Sequence, residues 1–333
     1  MGDLSTYFFD GGKQVTPVDD VGDQLFLYTH KGGSDKIIRY AVLLVLSTAI
    51  ATGGILTDST ATVIGAMIVA PLATPIQGIG LAIVTTRPAQ IARSASILGL
   101  SIATVVLLPL FFTLALRLPV NLTVNTQITG RVSPGLLDLF VAIATGLVGA
   151  YATARKDLSG VLPGVAIAIS LVPPLSVVGI CLSQGGFDQA WGALLLFSAN
   201  AVAMIICAML VFGIAGYGAA ARRQRDAVRR PILMVMAALG LLILILSVTS
   251  VQSIIGIIET QRATRAAEVW LDGSNYDLAK VSSGNGIITI EIVGSGPLPT
   301  VDDFGNVYDP VLWSQPVIRL RVLNGSDQII DGG

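Results

Sequence analysis

The distribution of charge constrains this chain more than any other feature, because the charges leave long runs empty. No Asp, Glu, Lys or Arg occurs in 40–57, 59–86, 94–116, 139–154, 158–187, 189–221 or 231–258. A helix needs about 20 apolar residues to cross the hydrocarbon layer, and these runs predict about seven crossings. Apolar residues make up 53% of the 333 positions and charged ones 12%, so the charge that remains is confined to the connections and ends. A polytopic membrane protein is the class this requires, with the lipid bilayer as its first partner.

The expected organisation follows from the runs. Residues 1–36 read as a cytoplasmic N-terminal segment, and 37–216 as a six-helix membrane core divided into 37–116 and 135–216. Residues 217–230 form a basic cytoplasmic loop, 231–258 a seventh helix placed on the lipid-facing rim, and 259–333 an extracytoplasmic α/β domain. The start lacks the basic-then-apolar pattern of a cleaved signal, so the first span is expected to direct insertion. Lys31, Lys36, Arg39, Arg87, Arg93, Arg155, Lys156 and the Arg222 to Arg230 cluster fall on one side, against Arg117 and Arg131 on the other. The positive-inside rule then places the N-terminus in the cytoplasm and the C-terminus outside, in the plasma membrane. Alternation in IITIEIV and VIRLRV marks strands in the C-terminal domain.

Two of the runs are too long for one straight crossing. The 28 uncharged residues 59–86 would reach roughly 42 Å as helix, against about 30 Å of hydrocarbon. Within them lies GAMIVAPLATPIQGIG, 65–80, and 99 residues later GVAIAISLVPPLSVVG follows. Gly65, Ile68, Leu72, Pro75 and Gly80 meet Gly164, Ile167, Leu171, Pro174 and Gly179 at that offset, as Asp58 meets Asp157 and Ser101 meets Asn200. Three spans separate equivalent points, so the second unit enters from the opposite side. The expected fold is an all-α polytopic membrane protein of about seven helices in a three-plus-three inverted repeat, helices two and five broken, plus the small α/β domain.

Broken helices leave backbone groups that lipid cannot satisfy, so those groups face protein, water or a solute. Gly65, Pro71, Thr74, Pro75, Gln77, Ser101, Gly164, Ser170, Pro173, Pro174 and Asn200 are the candidates for a solute path. Plain proline kinks and packing glycines are the competing reading, and Asn200 doubles as interhelical glue. Asp58 and Asp157 read as helix caps at the membrane edge, with ion or proton sites the alternative. Asp138 is expected to pair with Arg131, as a structural ion pair or a gate. Span four carries small residues at Ala142, Gly146, Ala150 and Ala154, which places it at the centre of the bundle. Cys181 and Cys207 read as buried thiols, and His30 has no companion ligands, so no metal, cofactor or nucleic-acid partner is expected. No constellation suits catalysis either, and the chain is read as a non-enzyme.

TDSTATVIGAMIVAPLATPI at 57–76, RVSPGLLDLFVAIATGLVGAYATAR at 131–155, GVAIAISLVPPLSVVGI at 164–180 and LLLFSAN ending at Asn200 resemble a family of hydrophobic membrane proteins, domain of unknown function 389. The resemblance covers 37–215 and implies an integral membrane fold. It singles out Gly65, Ala66, Met67, Pro71, Leu72, Pro75, Gly164, Pro173, Pro174 and Asn200 as motif positions, and it implies no substrate. The functional expectation is transport of an ion or small polar solute between spans two and five. A passive channel, or a sensor or scaffold acting through 259–333, is the alternative, and a homo-oligomer is the expected assembly.

Overall fold

The computed structural model describes residues 15–28, 33–155, 157–158, 171–218, 226–284, 287–295, 304, 308 and 317–324. Among the expectations above, those on His30, Lys156, Gly164, Ser170 and Arg222 to Arg225 lie outside the described residues, as does the first half of span five. The chain divides into two compact units, 1–247 and 248–333.

The first unit is helical. After α1 (Val18–Leu25) comes α2 (Gly33–Leu56), starting a turn earlier than the apolar run because Asp35 suits a helix N-terminus. The Ser59 hydroxyl accepts from the Thr62 N–H and starts α3 (Thr60–Val69). Pro71 disfavours helical geometry at the residue before it, and Ala70 is extended at φ −67°, ψ 123°. The chain resumes as α4 (Ala73–Val84), bent by 44° from α3. Pro88 occupies the start of α5 (Pro88–Ala115), where its missing N–H costs nothing. A one-turn α6 (Thr126–Thr129) precedes α7 (Leu136–Ala154). Then follow α8 (Val172–Ser183), α9 (Phe187–Ile214) and α10 (Asp226–Leu271).

Five of these helices are long and apolar enough to cross a membrane, and the bent α3–α4 pair brings the number to six if it is counted as one span. This is a multi-pass membrane protein. Its outer surface is apolar where lipid would lie: Phe111 is 75% exposed and Leu137 81%. The expected seventh span lies inside α10, whose 229–248 stretch is the least enclosed of the crossings. Span four was expected at the bundle centre, yet the most enclosed crossing is α9. Its alanines Ala193, Ala199, Ala203 and Ala208 are buried on different sides of the helix and are small enough to let neighbours surround it.

The packing repeats itself. α4 packs on α5 and α9, and α8 packs on α9 and α5. A side chain at Gly80 would meet the Ile205 carbonyl at 3.1 Å and the Met209 N–H at 3.3 Å. One at Gly179 would meet the Val106 carbonyl at 2.2 Å and the Leu110 N–H at 3.2 Å. Every residue of the second crossing stands 99 positions from its counterpart in the first. The central apolar cluster holds both members of the pairs Leu72 and Leu171, Ile76 and Leu175, and Val105 and Met204 at that same offset.

In the second unit, β1 (Tyr276–Gly284) pairs antiparallel with β2 (Ile287–Gly294), which pairs in parallel with β3 (Val317–Asn324). Ile288, Ile290 and Ile292 point one way along β2 and are buried with Ala263, Ala267 and Trp270 of α10. The opposite face carries the Glu291 to Arg321 pair at 2.9 Å. The strands expected at 287–293 and 317–322 are therefore present, and β1 is an additional strand.

Candidate functional site at the helix breaks

The break in span two is sharper and shorter than a proline-rich stretch implies. Only Ala70, Pro71 and Leu72 are non-helical. Pro75 does not break the helix as expected, since it stands in the first turn of α4, and Pro173 and Pro174 stand likewise in the first turn of α8. Proline in a first turn removes an N–H that has no intrahelical acceptor and supplies the helical φ. Ala73 and Val172, the first residues of the two helices, are 99 positions apart. Neither helix start has a side-chain cap at Leu72 or Leu171. Pro75, Pro173 and Pro174 also leave these first turns with fewer free N–H groups, and Leu72 and Leu171 lie in the central apolar cluster.

Polar side chains surround these starts sparingly. Gln77 is buried on α4, and its Oε1 accepts from the Thr153 hydroxyl at 2.9 Å; that hydroxyl also points to the Gly149 carbonyl at 2.9 Å. The counterpart of Gln77 is Ser176 on α8. Ser176 is completely buried and its hydroxyl has no hydrogen-bond partner. A buried unpaired hydroxyl costs about 1–3 kcal/mol. Ser101 donates to the Ile97 carbonyl at 2.7 Å, which leaves Tyr40 as donor in the 2.8 Å bond between the two hydroxyls. Asn200 is buried on α9, Thr74 is half-buried and donates its N–H to the Pro71 carbonyl, and Gly65 is half-buried with open space at its Cα.

The charged candidates lie elsewhere and do other work. Asp58, at φ 52°, was expected to cap α3, but Ser59 does so. Asp58 instead accepts from the Thr126 hydroxyl at 2.8 Å and the Gln127 N–H at 3.1 Å. The Thr126 hydroxyl and these amides hold its carboxyl below the usual range. Gln127 reaches back to Thr60 at 2.8 Å and Asn125 to the Ile55 carbonyl at 2.7 Å, tying 125–131 to the end of α2. A cavity of 610 Å³ lined by Gly53, Asp58, Phe112, Leu118, Asn121 and Asn125 opens beside them.

The pair expected between Arg131 and Asp138 is not formed. Arg131 donates to the Gln127 carbonyl at 2.6 Å and burial pushes its guanidinium pKa down. Asp138 turns back to accept from its own helix's Gly135 N–H at 2.7 Å, the nearer unsatisfied donor. Asp157 forms a two-pronged pair with Arg155, both bonds 2.8 Å, and the helix start it was expected to cap lies outside the described residues. Arg155 donates also to the Tyr151 hydroxyl at 2.8 Å. The hydrogen bond from Arg155 holds Asp157 ionised, and the same contact raises Arg155.

Residues 15–28 also belong to this region, a role with no signal of its own in the sequence. The Thr16 N–H donates to the Ala154 carbonyl at 2.9 Å, and the Tyr217 hydroxyl donates to the Thr16 carbonyl at 2.7 Å. The Leu25 carbonyl lies 3.2 Å from where a Gly78 side chain would stand. Among the described residues, no three His, Cys, Asp or Glu side chains gather into a metal-holding group.

An uncharacterized protein of Methanocaldococcus jannaschii is 32% identical over 175 residues, 53% of this chain and 53% of its own length. The chain thus spans about half the length of that curated relative. No solved structure matches. Residues 67–206, which run from α3 through both helix starts and into α9, match the model of Domain of unknown function (DUF389).

Proposed function

We propose that the chain moves a small polar solute or ion across the plasma membrane, along a path between the two interrupted helices. The observation that carries this is the matched pair of crossings, Gly80 on Ile205 and Met209 and Gly179 on Val106 and Leu110. Two halves that pack the same way on each other's last helix are the arrangement of inverted-repeat transporters, in which the interrupted helices supply the binding groups. The six core helices are read as that repeat, with the N-terminus cytoplasmic, 259–333 outside, and copies of the chain assembling through the exposed apolar rim.

The described buried polar groups around the helix starts are all uncharged, which keeps a passive channel as the second reading. Purified protein in liposomes tests both. Saturable counterflow identifies a transporter and non-saturating flux a channel, whereas no flux in a broad screen of ions and small solutes overturns the proposal.

A further inference from the structure

We infer that the cavity where α2 and α5 end binds an ammonium group carried on a small apolar body. The inference goes beyond the transport reading and does not rest on it, since none of 70–77 or 171–176 lines this cavity. Its volume of 610 Å³ lies in the range of small-molecule sites. Leu56, Phe112, Val120 and Val124 make most of the wall apolar, and Asp58 is the one charged residue in the lining. Such a wall suits a ligand that ends in a cation and is hydrocarbon elsewhere.

The electrostatics at this end have one sign. α2 finishes at Leu56 and α5 at Ala115, so both helices turn their negative dipole ends toward it. Asp58 accepts from Thr126 and Gln127 at Oδ1, and the Thr126 hydroxyl and these amides hold its carboxyl below the usual range. Among the described residues no Lys or Arg forms an ion pair with it. Its negative charge is therefore present at neutral pH without a counter-charge, and an ammonium group would supply one.

Gly53 is the second, independent observation. Glycine weakens a helix, and close packing explains its neighbour Gly54, where a side chain would meet Val63 at 2.8 Å. At Gly53 nothing lies within 4 Å of where a side chain would start. The space left there is the cavity that Gly53 lines. An ammonium group can come from a free amine or from the headgroup of phosphatidylethanolamine. No Lys or Arg lines the cavity to answer a phosphate, which favours the free amine.

The test titrates the full chain in detergent micelles with 2-phenylethylamine, 2-phenylethanol and phenylacetate by calorimetry, with protein-free micelles as the blank. The amine is expected to saturate one site per chain, and the alcohol and the acid to show no binding. Asp58→Asn is expected to weaken the amine about tenfold, the loss of one hydrogen bond between charged groups. Gly53→Leu, which keeps the carboxylate and fills the space, is expected to weaken it at least as much. The melting temperature without ligand verifies that both variants fold. Phosphatidylethanolamine added to the micelles is expected to leave amine binding unchanged. Displacement by phosphatidylethanolamine but not by phosphatidylglycerol overturns the free amine as the source and keeps the ammonium chemistry. Equal binding of the amine and the alcohol overturns the ammonium assignment. Absence of amine binding, or an unchanged affinity in either folded variant, overturns the site and leaves the transport reading to the flux screen.

Discussion

Adding one methyl group at Gly179 tests the central packing directly. In Gly179→Ala the new carbon would sit 2.2 Å from the Val106 carbonyl oxygen, 1.2 Å short of the 3.4 Å at which ordinary contact begins. The obstacle is helix backbone, which cannot rotate aside, so α5 and α8 must separate. Overpacking of this kind costs about 1–3 kcal/mol, and a clash with backbone belongs at about 3. At Gly80 the nearest atom is the Ala208 methyl at 2.7 Å, and about 1–2 kcal/mol is expected. Gly99 has nothing within 4 Å, so Gly99→Ala should stabilise α5 by up to about 1 kcal/mol through helix propensity. The assay is built into the protein: Cys181 and Cys207 are free and buried, and a thiol-reactive dye reports their exposure on heating in detergent. With roughly 2 °C per kcal/mol for a unit of this size, Gly179→Ala should melt about 6 °C below the parent, Gly80→Ala about 2–4 °C below, and Gly99→Ala at or above it. Equal melting of Gly179→Ala and Gly99→Ala would refute the α5–α8 crossing.

Four further outcomes are expected. Gln77→Leu and Thr153→Val should each destabilise, and the double mutant should show a coupling of about 1 kcal/mol in the same melting assay; additive losses would deny the bond. Ser59→Ala should cost about 1 kcal/mol as the loss of the α3 cap, whereas Asp58→Asn leaves that cap intact. Asp58 is held below its unfolded pKa, so its contribution is present at neutral pH and is lost as pH falls through the folded value. Protection of the 125–131 amides, taken relative to their intrinsic exchange rate at each pH, should fall on acidification below about pH 4, and Asp58→Asn should remove that pH dependence. Deletion of 259–333 should leave solute flux in liposomes unchanged; loss of all flux from an intact membrane core would move the function to the C-terminal unit.

The membrane class was legible because lipid permits few charges, so the empty runs alone locate α2, α5, α7 and α9. Helix ends were less legible. Pro75 and Pro174 look the same in sequence whether they interrupt a helix or begin one, and the difference lies in the Ala70 backbone. The acidic residues were misjudged for a related reason. Asp58 finds its partners at Thr126 and Gln127, and no spacing rule reaches that far, while Asp138 had a closer donor in Gly135 than Arg131. In β1, YDLAKVSSG lacks a clean alternation, so the strand is visible only once β2 pairs with it. Ser176 has no signal alone, but the offset of 99 from Gln77 points to it. The repeat identified both glycines, and the structure adds what each one touches.

The 44° interruption at Pro71 bears also on how the chain is made. α3 has 10 residues and α4 has 12, or about 15 Å and 18 Å of helix. Neither piece crosses about 30 Å of hydrocarbon alone. While the ribosome is still working, the second hydrophobic segment must be held in the bilayer by neighbours, or by the insertion machinery. Gly80 cannot seat until Ile205 and Met209 have been translated. Insertion and folding are therefore not separable stages for this segment, and shortening the chain before α9 should leave it open to membrane quality control.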